Sequence, residues 1–245
     1  MKFYKYSLLL IACSVSLFSH GQGNLQKDLY QAFLYNDVAK WEKVTYNYEK
    51  NADLSSNVDL LKLIHCYYGY ISVLIDKDQD KKATENLKKA ETYIDKILKE
   101  EPNNAAALNY KGVFISYYVS MNKMKAPALG NQILTNLNKA YKLDPNNVQI
   151  LFDRGNSLFY PPKMFGGNKT EALKYYQKAI SIIEKQNNTR ENWIYVQLLF
   201  QVGRCHELTG NLELAKKEYE KTLKIEPNLK LLRDKYYPGL LNKMG

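Results

Sequence analysis

WIYVQLLFQVGRCHELTGNLELAKKEYEKTLKIEP, residues 193–227, contains one complete helix–turn–helix unit, and degenerate copies of it account for most of what precedes it. Leu199, the Val202-Gly203 pair and His206 fall at fixed offsets on a first helix, and Ala215, Tyr219 and Pro227 on a second. Each offset has a local reason. Gly203 and Ala215 are small where two paired helices cross closely, Tyr219 fills the seam beside them, and Pro227 cannot continue a helix. Thr209-Gly210-Asn211 supplies the turn, with Gly after the first helix and Asn as cap of the second.

This spacing resembles the tetratricopeptide repeat family, whose pattern places an apolar-Gly pair on one helix and Ala-x3-aromatic with a closing Pro on the next. The resemblance implies an all-α, right-handed superhelical solenoid of antiparallel helix pairs. Earlier copies follow. Residues 24–53 read as a degenerate amino-terminal helical pair broken near Asn36-Asp37, and residues 54–228 as four units of about 54–102, 103–146, 147–187 and 188–228. Residues 229–245 read as a capping helix with Leu231, Leu232 and Tyr236 on its apolar side, interrupted at Pro238. The unit glycines are Gly69, Gly112, Gly155 and Gly203, where the hairpins are expected to nest.

Gly69 to Ala83 holds two more residues than Gly203 to Ala215, a longer polar turn, and two further units carry larger insertions. Gly112 to Pro145 exceeds Gly203 to Pro227 by nine residues, and the excess falls around MNKMKAPALGN, whose Pro127 and Gly130 predict a loop at the hairpin tip. Gly155 to Ala172 holds five more residues than Gly203 to Ala215, within FYPPKMFGGNKTEA. There Pro161-Pro162 sets an extended helix exit, Gly166-Gly167 permits positive φ, and Asn168 with Glu171 forms a capping-box-like start. The segment looks like the Pro-Pro…Gly-Gly-Asn turn of bacterial envelope tetratricopeptide proteins, including T-component proteins of TRAP-type solute transporters. Met164 and Phe165 on it have two readings, packing into the neighbouring repeat or contact with a ligand or partner.

The amino terminus is a different text. Lys2 and Lys5 precede the apolar core SLLLIACSVSLF, and Ser19-His20-Gly21 offers small residues for cleavage, so residues 1–23 read as a signal peptide. The expected location is periplasmic or secreted. Leu10-Ile11-Ala12-Cys13 also resembles a lipobox, which would lipidate Cys13 and anchor the chain to the envelope; a membrane role is expected only in that case. Cys66 and Cys205 lie in helices of distant units and are expected as buried free thiols.

The net charge of +10 is spread as Lys-Lys pairs with acidic neighbours along helices, which reads as solvated surface rather than a nucleic-acid site. No catalytic residue, cofactor site or metal site is proposed by any motif: His65 and His206 stand in different units, and phosphate loops, nucleophile elbows and zinc spacings are lacking. Binding is the expected activity. Offsets from each glycine place Tyr67, Tyr70, Asn109, Tyr117, Phe152, Asn156, Tyr160, Gln197, Phe200 and Arg204 on the concave groove, where rings and amides suit an extended peptide. The subclass that clamps chaperone carboxylates is not resembled, since Cys66, Asn109, Phe152 and Phe200 stand where its first basic residue falls. The expected function is a non-catalytic scaffold or assembly factor of the bacterial envelope with a protein or peptide partner. The alternative is a small-solute accessory of a transporter, and the sequence leaves the oligomeric state open.

Overall fold

The computed structural model describes residues 19–245, with side chains from Leu25 onward, and among these the secondary structure is helical throughout. Sequence-based expectations for Cys13 and the apolar leader lie outside the described residues. Five helical hairpins follow in order: α1 (Ser19–Tyr35) with α2 (Val38–Asn51), α3 (Asn57–Asp76) with α4 (Asp80–Glu100), α5 (Ala105–Met121) with α6 (Ala126–Leu143), α7 (Val148–Phe159) with α8 (Lys169–Lys185), and α9 (Trp193–Leu208) with α10 (Leu212–Ile225). A single turn of π-helix over Leu232–Tyr236 runs directly into α11 (Tyr237–Met244).

Local chemistry sets most of the helix starts. The side chains of Asp37, Ser56, Asn104, Asn147, Asn168 and Asn192 each accept a backbone N–H from the first turn of the helix that follows, satisfying a donor that the helix cannot. Asn211, expected as the cap of α10, does not cap it. Its amide donates to Thr209 Oγ1 at 3.0 Å instead of capping α10, and Gly210 supplies the turn with φ at +81°.

The glycines mark where helices touch. A Cβ at Gly155 would lie 2.3 Å from the Tyr176 ring, one at Gly203 2.4 Å from the Tyr219 ring, and one at Gly112 3.0 Å from Leu137. In these three units the first helix therefore nests against its own partner. Gly69 differs: it faces the Trp41 ring of α2, the helix before it, at 2.2 Å for a Cβ. Helix α3 is thus turned toward α2 and is buried on nearly every side, from Leu60 and Ile64 through Tyr67, Tyr68 and Tyr70 to Leu74. It is long and apolar enough to cross a membrane, and here it is the core helix of the array.

The insertions are accommodated differently from the sequence expectation. In the α5–α6 hairpin the extra residues lengthen both helices and leave only a 3-10 turn, Lys123–Lys125, at the tip. Pro127 sits in the first turn of α6, where its missing N–H costs nothing, and Gly130 lies inside the helix with open space around it. In the α7–α8 hairpin the extra residues do form a tip, with a 3-10 turn over Lys163–Phe165. Gly166 adopts φ +86°, and a Cβ on Gly167 would strike the Pro161 carbonyl oxygen at 1.9 Å. At the carboxyl end Pro238 occupies the first turn of α11 and does not interrupt it; Leu232 and Leu240 are buried, whereas Leu231 is exposed. Buried Glu207 accepts from Arg204, Tyr219 and Lys243, each at 2.6 Å, and so ties α11 to α9 and α10. Burial alone would raise its carboxyl, but Lys243, Tyr219 and Arg204 together hold it below the usual range.

These contacts predict a contrast among glycines. Gly155→Ala and Gly203→Ala each force a Cβ into a tyrosine ring and should lower unfolding stability by about 1–3 kcal/mol, whereas Gly130→Ala should raise it by about 0.5–1 kcal/mol. Urea unfolding followed by circular dichroism measures all three.

Candidate functional site

The first helices of the hairpins pack side by side, α3 on α5, α5 on α7 and α7 on α9, and α1 returns to lie against α9. Their inward rows follow the helical period, with residues three, four or seven apart on one face. On α3 the row is His65, Tyr68 and Ser72; on α5, Tyr110 and Tyr117; on α7, Asp153, Asn156 and Tyr160; on α9, Trp193, Gln197 and Arg204.

At the amino-terminal ends of these helices the inside is filled. The Trp193 ring lies 5.4 Å from His65, 6.0 Å from Tyr68, 5.6 Å from Phe33 and 5.7 Å from Trp41, so four helices meet on one indole. His65 Nε2 accepts from Trp193 Nε1 at 3.3 Å, which leaves Nδ1 as the donor to the Tyr110 hydroxyl at 2.9 Å. Burial pushes its pKa down to about 4, and the ring is neutral at physiological pH. Outside this cluster, Gln26 donates to the Arg190 carbonyl at 3.0 Å and Tyr30 donates to Glu226, holding α1 in place.

Beside the indole sits a buried carboxylate. Asp153 accepts from the Tyr68 hydroxyl at 2.8 Å, Asn109 Nδ2 at 2.6 Å and Gln149 Nε2 at 2.8 Å. Burial raises its pKa to about 6 even though those three donors favour the charged form. The remaining amide oxygens, Asn109 Oδ1 and Gln149 Oε1, are buried without a partner.

Toward the carboxyl-terminal ends the inside opens. Ser72 is exposed, Tyr117, Asn156, Gln197 and Arg204 are half-buried, and Tyr160 is 66% exposed while its hydroxyl accepts from Gln201 Nε2 at 3.0 Å. Tyr117 donates to the Tyr68 carbonyl at 3.2 Å, Asn156 Oδ1 accepts from Tyr176 at 2.8 Å, and the Arg204 guanidinium lies 4.3 Å from the Tyr236 ring centre. The inner face is therefore a shallow funnel in its side-chain exposure, packed at one end and more accessible toward the hairpin tips, and neither of the two surface depressions includes its residues.

Several residues expected on the groove are elsewhere. Tyr67 donates to Glu49 of α2 at 2.9 Å, and Tyr70 packs edge-on against Tyr46 of α2. Both are fully buried between α2 and α4, because Gly69 faces α2 and the glycine offset does not carry over to this helix. Phe152 packs on Tyr176 of α8, and Phe200 on Tyr219 of α10 and Tyr236. Asn109 does point inward but is consumed by Asp153. Asn156, Gln197, Tyr117 and Tyr160 fall on the inward rows and stay partly accessible, whereas the Arg204 guanidinium is taken up by Glu207 and the Tyr236 ring. Met164 and Phe165 do not pack into the neighbouring repeat; they are 82% and 70% exposed. A depression of about 160 Å³ lies between α8, α9 and α10, lined by Ile180, Glu184, Leu199 and Val202, and it includes neither. Cys66 and Cys205 are buried and free, with burial pushing each thiol up to about 12. Among the described residues no group of three His, Cys, Asp or Glu converges to hold a metal.

His65, Tyr68, Ser72, Asp153 and Trp193 were not singled out from the sequence as inner-face residues. Counting i+3, i+4 and i+7 rows on each helix, rather than offsets from glycine, recovers them.

A tetratricopeptide repeat model matches residues 164–186 and 196–229. Over those two segments the chain carries tetratricopeptide repeats. A search of curated proteins returns no match. Among solved structures, the chain is similar to the HusA haemophore from Porphyromonas gingivalis at 16% identity and a TM-score of 0.59, over 76% of this chain and 94% of that one. It is also similar to a thermophilic tetratricopeptide protein of Thermus thermophilus at 15% identity and a TM-score of 0.54, over 89% and 99% of the two chains. These likenesses establish the fold. Tetratricopeptide repeats in general present binding surfaces to protein partners rather than reactive groups.

Asp153 yields a test of this interior. Its folded pKa of about 6 lies above the unfolded value of about 3.9, so its contribution is greatest below pH 4 and is lost as pH rises toward 6, on the order of 2–3 kcal/mol. His65, held neutral with a depressed pKa, acts in the opposite sense and weakens the fold on acidification. Asp153→Asn should remove the first contribution alone, so the stability difference between variant and wild type should favour the variant more at pH 7 than at pH 4.5. Urea unfolding at both pH values measures it.

Proposed function

We propose that this chain is a non-catalytic, exported scaffold of the bacterial envelope that takes a protein or peptide segment into the open half of its funnel. The observation that carries this reading is the change along the inner face, from packed rings at His65, Tyr110 and Trp193 to exposed Ser72 and Tyr160 beside half-buried Tyr117 and Asn156. Flat rings interleaved with amides suit a main chain, whose carbonyls need donors and whose side chains need apolar area. A plugged floor limits the depth of entry. The occupant is therefore a chain end or a short loop, and a long strand threaded through the superhelix is disfavoured.

Export rests on Lys2, Lys5 and the apolar run that follows them. Intact mass of the protein purified from its own envelope distinguishes cleavage near Gly23 from lipidation at Cys13.

A second reading follows from the fold likeness to a haemophore: the same funnel would take a small flat ligand, as that protein's name describes for haem. Tyr160, with its exposed ring held by Gln201, is the group such a ligand would stack on. Haemin titration separates the two, since a saturable Soret change that Tyr160→Ala removes would favour the small-ligand reading.

For the scaffold reading, a photo-crosslinker at Ser72 should capture a discrete partner from the envelope fraction, whereas one at the exposed outer residue Lys217 should not. Ser72→Trp, which fills the mouth from an exposed position, should lower recovery of that partner about tenfold, equivalent to ~1.4 kcal/mol, with the melting temperature unchanged. Equal labelling from both positions would overturn the assignment.

A further inference from the structure

The edge on which the funnel opens carries a second feature that the repeat pattern does not require. Met124 is 89% exposed, Met164 82% and Phe165 70%, and each sits on a 3-10 turn at the tip of a hairpin. The α5–α6 and α7–α8 tips are successive turns of the same kind in a stacked array, so they emerge on one edge. Helix α5 runs nine residues past Gly112, against four for α7 past Gly155, which carries Met124 roughly 7 Å further out along its helix at 1.5 Å per residue.

Charge on these tips is of one sign. Lys123 and Lys125 flank Met124 and Lys163 precedes Met164, all three lysines exposed. From Pro102 to Leu143 the chain holds five lysines and no acidic residue, and no acidic residue occurs between Arg154 and Thr170. A soluble turn gains nothing by exposing thioethers and a phenyl ring among lysines. A turn that rests in a lipid interface does, because the apolar side chains reach the acyl boundary while the ammonium groups stay at the headgroups. The flanking hairpin tips lack this pattern: Asp78 and Asp80 occupy one, and Thr209-Gly210-Asn211 the other. Those aspartates oppose anionic lipid, with Lys77 and Lys81 beside them, and confine the contact to the two central tips.

We infer that Met124, Met164 and Phe165, with Lys123, Lys125 and Lys163, form a docking edge for an anionic phospholipid surface, independent of any lipid at Cys13 and of the partner proposed for the funnel. The test uses the full chain with vesicles of phosphatidylcholine alone or mixed with phosphatidylglycerol. An environment-sensitive fluorophore on Met164→Cys should shift to the blue with the anionic vesicles, and one on Lys217→Cys should not. Flotation should show at least a fivefold loss of the bound fraction in Met124→Ser/Met164→Ser/Phe165→Ser, and a comparable loss in Lys123→Glu/Lys125→Glu/Lys163→Glu. High salt should weaken binding of the wild type. Circular dichroism checks that both variants remain folded. No fluorophore shift at residue 164, or variant binding equal to the wild type, would overturn the proposal. So would a triple serine variant that keeps its vesicle binding but loses the Ser72 cross-linked partner, which would make this edge a protein interface.

Discussion

The structure depends on Trp193. An array of helical hairpins touches only its neighbours, and nothing local fixes how tightly it curls. Here the first residue of α9 reaches across the interior to Phe33, Trp41, His65 and Tyr68, so α1, α2 and α3 are held against a helix far downstream. The aromatic payload of such a cluster is large, and its central indole N–H goes to His65, and His65 in turn to Tyr110. Curvature becomes a consequence of side-chain packing at one edge. The opposite edge, having no such cluster, stays open.

That asymmetry gives the molecule its polarity. At the closed edge, burial keeps His65 neutral and raises Asp153, and the energetic emphasis is on satisfying every donor around one carboxylate. At the open edge the same helical rows continue into exposed Ser72 and Tyr160 and half-buried Tyr117, whereas Arg204 on the α9 row is held by Glu207 and Tyr236. The two hairpin tips with exposed apolar groups lie at this edge as well, so binding in the funnel and contact with a surface would face the same direction. A scaffold that both rests on a membrane and receives a chain end would need that arrangement.

Glu207 performs at the carboxyl terminus what Trp193 performs at the amino terminus. A buried carboxylate with three donors from Arg204, Tyr219 and Lys243 fixes α11 over the last hairpin, and Leu240 seals the apolar face that a further repeat would otherwise cover. Breaking such a site by removing one partner leaves a charge buried without compensation, which is why terminal elements of repeat arrays are specific rather than generic.

The residues from Trp193 to Pro227, with their fixed small and aromatic positions, determined the helical hairpin and its repetition, because close crossing of helices demands Gly and Ala wherever it occurs. The capping residues Asp37, Ser56 and Asn168 likewise determined where helices begin, since an orphan N–H has few local remedies. Tertiary structure alone decided which face of each helix points inward. Gly69 looks the same as Gly155 in sequence, yet it meets Trp41 of the preceding hairpin, and this rotates Tyr67 and Tyr70 out of the groove and His65 and Tyr68 into it. Pro127 and Gly130 read as loop residues, but a first-turn proline and an exposed helical glycine are both tolerable once neighbouring contacts support α6. The closure through Trp193 was equally illegible, because a contact between residues 128 apart in the chain leaves no local period to read.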